Sequence, residues 1–278
     1  MHNLIPVSFA SPQLTLAGLK MGSGEPIIGL HGWLDNSATF ALLGPQLNGQ
    51  LTALDLRGHG HSEHVNGPYN IWDSLIDVLA VIEQIDEPVH LLGHSMGAGI
   101  ATLFAGCFPD RVRSLNLIEG FGPWVEPELS PRDELRRAAR AAQKPRGRPR
   151  PFASIDQAAQ IRSSKGVTPV TAQAIRPVVE RALTRSEAGY VWRSDPWLRV
   201  PSTLKMTESQ VQSCLDSIHC PVKIALGNEG MLNQSSMFQG RLSQVPQAQV
   251  KTFVGDHHLH LYPEAAESIG QWFNEGLA

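Results

Sequence analysis

Short apolar runs alternate with segments of helical periodicity along most of the chain. "VSFA" and "LTLAGLKM" alternate as the two arms of an opening hairpin would. "PIIGLHG" (26–32), "PVHLLGHS" (88–95) and "VRSLNLIEG" (112–120) are nearly continuous apolar runs that stop at glycine or serine. Such runs predict strands covered on both faces. "LTALDLRGHGHS" (51–62) reads as a strand running into a Gly/His-rich loop. "ATFALLGPQL" predicts a short helix, "IWDSLIDVLAVIEQI" (71–85) carries apolar residues at helical spacing, and "MGAGIATLFAGCF" predicts a helix of small residues. Near the C-terminus "CPVKIALGNEG" and "AQVKTFVGDHH" predict strands and "AAESIGQWFNEGL" a closing helix. Repeated strand–helix alternation requires right-handed crossovers and a mostly parallel sheet with helices on both faces. Sites in such sheets lie at the carboxyl ends of the strands.

The rhythm breaks between residues 121 and 213. "SPRDELRRAARAAQ", "SIDQAAQIRSS" and "TPVTAQAIRPVVERAL" are helical patterns separated by proline-rich loops, and no strong strand precedes "GYVWRSD". This stretch reads as a helical cap over the active end of a core formed by 1–120 and 214–278.

Composition narrows the classes. The 278 residues are 42% hydrophobic, enough for one sizeable core with an insertion. A net charge of −3 gives no general attraction to nucleic acid. The basic stretch "KPRGRPR" (144–150) lacks interleaved aromatics and reads as a solvated cap loop. Cys107, Cys214 and Cys220 suggest reduced thiols rather than a disulfide framework. The N-terminal stretch alternates and has no basic leader, and no apolar run approaches the roughly 18 residues of a membrane span. The expectation is a cytoplasmic protein with no membrane or nucleic-acid partner.

Gly93-His94-Ser95-Met96-Gly97 carries the chemistry. It fits G-x-S-x-G, between a predicted strand and a predicted helix. A sharp strand-to-helix turn holds its central residue in a strained conformation and needs very small flanking side chains. The helix N-terminus adds a favourable field for developing negative charge. Ser95 is the candidate nucleophile, and the N–H of the next residue, Met96, is a candidate oxyanion donor.

These residues carry a resemblance. "LHGWLDN" (30–36), "LDLRGHGHS" (54–62), "LLGHSMGAG" (91–99) and "GDHHLHL" (255–261) resemble the α/β-hydrolase serine hydrolases over nearly the whole chain. "YVWRSDPWLR" and "GDHHLHL" are similar to the branch that includes the serine hydrolase-like and mesoderm-specific transcript proteins. The resemblance implies an α/β-hydrolase fold with an eight-stranded sheet and a helical cap. It places the second oxyanion donor at the Trp33 backbone, with His31 organising the turn. It places the base in "GDHHLHL", where a second histidine three positions on selects His257 over His258. A zinc site in this cluster is the competing reading, disfavoured because no Cys pair or carboxylate–histidine helix supplies further ligands.

The acid breaks the family pattern. The expected aspartate position after the seventh strand is Gly230, in Gly227-Asn228-Glu229-Gly230. Either Glu229 reaches in, or the acid comes from the end of the sixth strand, as in some related dehalogenases. Glu119 is preferred, because a carboxylate at the end of an apolar core strand is costly without a partner. A Ser95–His257 dyad is the remaining alternative.

Serine at the nucleophile position disfavours dehalogenase and epoxide hydrolase chemistry, which the family performs with aspartate. The expected activity is hydrolysis of a small to medium ester, thioester or lactone through an acyl-enzyme, with no cofactor or metal. Alternatives are C–C bond hydrolysis of a diketo acid and a catalytically silent binding protein. His31, Trp124 and Trp192 are candidates for the substrate pocket, with Phe152 and Trp197 beside them. Arg57 and Asp195 read as loop anchors, and His59, His61 and His94 as organisers of the mouth of the site.

Overall fold

The computed structural model describes residues 4–125, 130–144, 150–166, 168–233 and 235–277. Residues 145–149 of the basic stretch lie outside the described residues. In chain order the core begins with β1 (Ile5–Ala10), β2 (Thr15–Gly22), β3 (Pro26–Leu30) and β4 (Gln50–Leu54). It continues with α1 (Asp73–Ile82), β5 (Val89–His94), α2 (Met96–Cys107) and β6 (Val112–Ile118). The cap supplies α3 (Pro131–Ala142), α4 (Ile155–Lys165), α5 (Ala172–Arg181) and a small hairpin, β7 (Leu183–Ser186) with β8 (Gly189–Trp192). The chain closes with α6 (Glu208–Leu215), β9 (Val222–Gly227), α7 (Ser236–Leu242), β10 (Ala248–Phe253) and α8 (Pro263–Asn274).

Eight strands form one sheet in the order β1-β2-β4-β3-β5-β6-β9-β10. β1–β2 and β2–β4 pair antiparallel, and every other pair is parallel. The interior strands β5 and β9 are buried along their whole length, as their mainly apolar runs require. The edge strands β1 and β10 are largely exposed. One apolar layer joins the sheet to α1, α2 and α6 through Val81, Phe104, Val211 and Leu215. The other joins it to α8 through Ile269, Trp272 and Phe273. The predicted helix at "ATFALLGPQL" forms as two short 3-10 turns, 37–40 and 44–46, the second opened by a proline at its start.

The cap holds a small apolar cluster of its own, including Phe152, Ala159, Ile175 and Val179. Ser130, Ser154 and Thr171 cap its helices by accepting a backbone N–H in the first turn. Val211 and Leu215 belong to the core layer, so α6 is a core crossover helix. The return to the core therefore falls ahead of Glu208 rather than at residue 214. Among the described residues, no helix is long and apolar enough to cross a membrane.

Candidate active site

The carboxyl ends of five parallel strands converge. Trp33 follows β3, Ser95 follows β5, Glu119 follows β6, Gly230 follows β9 and His257 follows β10. Ser95 has φ 53° and ψ −114°. A non-glycine residue in this region carries about 1–3 kcal/mol of strain and is held there by its surroundings. Its N–H donates to the Ile118 carbonyl at 3.0 Å, and its carbonyl accepts from Gly99 at 3.1 Å. A Cβ at Gly97 would overlap the Leu30 carbonyl, and one at Gly93 would come within 2.6 Å of the Ala98 backbone. The two glycines are therefore set by close backbone approach.

Glu119 is 2% exposed and also adopts a left-handed conformation, φ 49°. Its Oε1 accepts from Gly227 N–H at 2.9 Å, and its Oε2 from Met231 N–H at 2.8 Å. His257 Nδ1 lies 3.2 Å from the same Oε2. The carboxylate thus has the partners that its burial demands. With Nδ1 committed to Glu119, Nε2 is the ring nitrogen left for a serine hydroxyl. Ser95, Glu119 and His257 all line one cavity of about 870 Å³. Glu229 is exposed, and its neighbour Gly230 explains the broken pattern: a Cβ at 230 would overlap the Glu119 carboxylate. Glycine at the expected acid position is what leaves room for an acid from β6.

His258 turns away from Glu119, its Nε2 3.6 Å from Asp35 and its Nδ1 3.3 Å from Thr168 Oγ1. His260 Nε2 pairs with Thr39 Oγ1 at 2.8 Å. The three histidines of "GDHHLHL" thus have three different partners, and among the described residues no cluster has metal-holding geometry. His94 is fully buried under them, donating from Nε2 to the His257 carbonyl at 3.0 Å. Burial, and then the neighbouring histidines, keep it neutral by pushing its pKa well below the usual imidazole value. Burial similarly pushes His59 and His260 down to about 3. Burial opposes ionisation of Asp35, but His258 and Arg162 outweigh it and hold the carboxyl well below the carboxylate range.

At the oxyanion position, Met96 opens α2, so its N–H has no carbonyl one turn back within the helix. The Trp33 side chain lines the cavity and donates from Nε1 to the Leu198 carbonyl at 3.0 Å, which ties the cap's return to the core. Trp124 also lines the cavity.

The other pocket candidates, His31, Phe152, Trp192 and Trp197, lie outside the lining. His31 is fully buried behind the lining: its Nδ1 donates to the Gly32 carbonyl and its Nε2 accepts the Leu56 N–H. Burial lowers its pKa, in keeping with a neutral ring that organises the turn. Trp192 packs edge-on against Phe152, centroids 5.3 Å apart, inside the cap. Arg57 anchors its loop through Asp77 at 2.7 Å and reaches the cavity wall as well. Asp195 anchors the cap's return, accepting from Tyr69 Oη at 2.7 Å and from Trp197 N–H at 2.9 Å. Sequence reasoning missed the basic lining residues Arg137, Arg199 and Lys205, of which Arg137 lies some sixty positions before the other two.

Residues 27–268 match the Alpha/beta hydrolase family. A serine hydrolase-like protein of Dictyostelium discoideum is 29% identical over 268 residues, covering 88% of this chain and 73% of that protein. A serine hydrolase-like protein of Danio rerio is 27% identical, covering 88% and 80%. The crystal structure of a hypothetical protein from Pseudomonas aeruginosa PAO1 superposes with a TM-score of 0.90 at 34% identity, over 98% of this chain and 99% of that one. A thioesterase domain from the curacin biosynthetic pathway shares the fold, with a TM-score of 0.84 at 23% identity over 97% and 98%.

Proposed function

The chain belongs to the alpha/beta hydrolase family, and from that premise we propose that it is a serine hydrolase cleaving a small to medium carboxylic ester, thioester or lactone. One observation carries this reading: the buried Glu119–His257 pair opens on the same cavity as a serine held in a strained turn. A buried carboxylate held on the imidazole beside a serine is what proton transfer from that serine requires, and ligand binding alone does not require it.

In the proposed reaction the Ser95 Oγ attacks the acyl carbon while its proton passes to His257 Nε2. Glu119 holds the ring through Nδ1 and stabilises the imidazolium. The carbonyl oxygen becomes an oxyanion that accepts from the Met96 and Trp33 N–H groups, each such donor being worth about 3 kcal/mol. The bond to the leaving group breaks as His257 returns the proton to it. Water then repeats the sequence on the acyl-enzyme and frees the acid and Ser95. The apolar lining, including Leu56, Ile71, Phe121 and Met206, suits an acyl chain of moderate length.

The test is labelling by a fluorophosphonate probe together with hydrolysis of p-nitrophenyl esters from acetate to octanoate, wild type beside Ser95→Ala. The expected result is labelling and turnover in the wild type alone. Turnover that survives Ser95→Ala overturns the assignment. A dienone-type diketo acid in the same assay separates C–C hydrolysis from ester hydrolysis.

A further inference from the structure

The cap is one insertion with two necks. The chain leaves the core at Phe121-Gly122-Pro123, after β6, and re-enters it at Glu208, the first residue of α6. One side chain grips both necks. Arg241, on α7, is 2% exposed. Its Nη1 donates to the Phe121 carbonyl at 2.7 Å, while its Nε and Nη2 donate to the two carboxylate oxygens of Glu208 at 2.8 and 2.7 Å. A guanidinium can hold three acceptors in this way because its donors are fixed in a planar fork. The outgoing neck leaves room for it: Gly122 has φ 74°, and a Cβ there would come within 2.9 Å of Arg241 Nη1. The Gly122 N–H is tied in turn to Thr102 Oγ1 on α2 at 3.0 Å.

The same residues wall the cavity. Phe121, Gly122, Pro123 and Arg241 line it beside Leu204 and Met206 of the returning chain. Glu119, two residues before the outgoing neck, has anchors of its own in the Ala225 carbonyl and the Gly227 and Met231 amides. The grip therefore bears on the walls more than on the acid. Resting on the serine hydrolase reading above, we propose that Arg241 is a positioning residue that sets specificity: by holding both necks it fixes where the cap stands over Ser95, and so how much of the cavity a long acyl chain can use. It acts through Phe121 and Glu208 and not on the reacting bond.

The experiment compares kcat/KM for p-nitrophenyl octanoate and acetate in the wild type, Arg241→Met and Arg111→Met. In Arg241→Met the octanoate-to-acetate ratio should fall about tenfold, mostly through KM for octanoate. Arg111 also donates to backbone carbonyls, those of Ile82 and Ile85, but lies outside the cavity lining, so Arg111→Met should keep the wild-type ratio. An unchanged ratio in Arg241→Met, or an equal fall in Arg111→Met, overturns the proposal. Hydrogen exchange reads the necks without turnover. Segments 119–125 and 200–212 should exchange about tenfold faster in Arg241→Met, with β5 and β9 at wild-type rates. Necks at wild-type rates, or a gain spread equally over the sheet, overturn the grip. If neither ester is turned over, the hydrolase reading fails for these substrates and exchange alone decides the grip. If Arg241→Met does not fold, Glu208→Gln carries the test, since it loosens the returning neck alone. It should lower the ratio about threefold and quicken 200–212 but not 119–125, and wild-type behaviour in both readouts overturns the proposal.

Discussion

The sheet and the cap are held by different kinds of force. The sheet sits between two continuous apolar layers, and its strands β5 and β9 are buried throughout. The cap has one small apolar cluster, to which the core adds Leu261. It is fixed to the core largely by directional polar contacts. Arg181 reaches the fully buried Asp55 at 2.8 Å, Arg162 reaches Asp35 at 3.3 Å, and Asn36 donates to the Val178 carbonyl at 2.7 Å. Apolar layers tolerate small losses because many contacts share the load. A polar pin fails singly, and removing one partner leaves the other charge buried. Ser95, Glu119 and His257 therefore rest on the robust region, while the part of the cavity wall given by Arg137 and residues between 198 and 206 rests on the sensitive one.

That contrast can be broken at graded points. Arg181→Met strands Asp55, which keeps only the Ser37 and His61 amides, at 2.8 Å each. The expected cost is about 3 kcal/mol in urea unfolding, with a marked loss of activity. A cost below about 0.5 kcal/mol would show that the pin is not needed. Gly230→Ala drives a methyl group into the Glu119 carboxylate, which hydrogen bonds hold in place. We expect about 1–3 kcal/mol of destabilisation and at least a tenfold fall in kcat, because the acid must move off His257. Wild-type kcat in this variant contradicts the steric account.

Acidification acts on the core, where His59 and His260 lie. Burial holds His59 and His260 at about 3 in the fold, whereas an unfolded histidine titrates near 6.5. As pH falls below about 6.5 the unfolded chain takes up protons that the fold excludes. Stability is therefore present above that pH and is lost on acidification. The loss approaches about 1.4 kcal/mol per pH unit for each such histidine until pH nears the folded value. Urea midpoints at about pH 7.5 and 5.5 should differ in that direction, and equal midpoints contradict the buried neutral rings. The smallest effect belongs to Arg176→Ala, which removes exposed cap pairs to Asp156 and Glu180. Its urea midpoint should correspond to a change within about 0.5 kcal/mol.

Legibility followed the same divide. The core strands were readable because burial on both faces writes nearly continuous apolar runs, and the Ser95 turn because its glycines are neighbours in sequence. That Glu119 is buried with a partner was readable from the cost of burying an acid. Gly230 looked like a missing acid until the carboxylate from β6 occupied the space beside it. The placements of His31 and Trp192 were not readable, because an aromatic ring's size does not tell which way it faces. The meeting of Arg137, Arg199 and Lys205 at one cavity was hidden because only the cap's return brings α3 and residues 199–205 to one wall. The cap boundary slipped because α6, short and polar by composition, buries just Val211 and Leu215.

The proposed triad depends most directly on which carboxylate serves His257. The deciding measurement is kcat/KM for ester hydrolysis in Glu119→Gln and Glu229→Gln, with thermal melts confirming that both fold. Glu119→Gln should lose about a thousandfold or more, as triads do when the orienting acid is replaced by its amide. Glu229→Gln, changing an exposed side chain, should stay within about twofold of wild type. The reverse pattern, or full activity in Glu119→Gln, contradicts a triad completed from the end of β6.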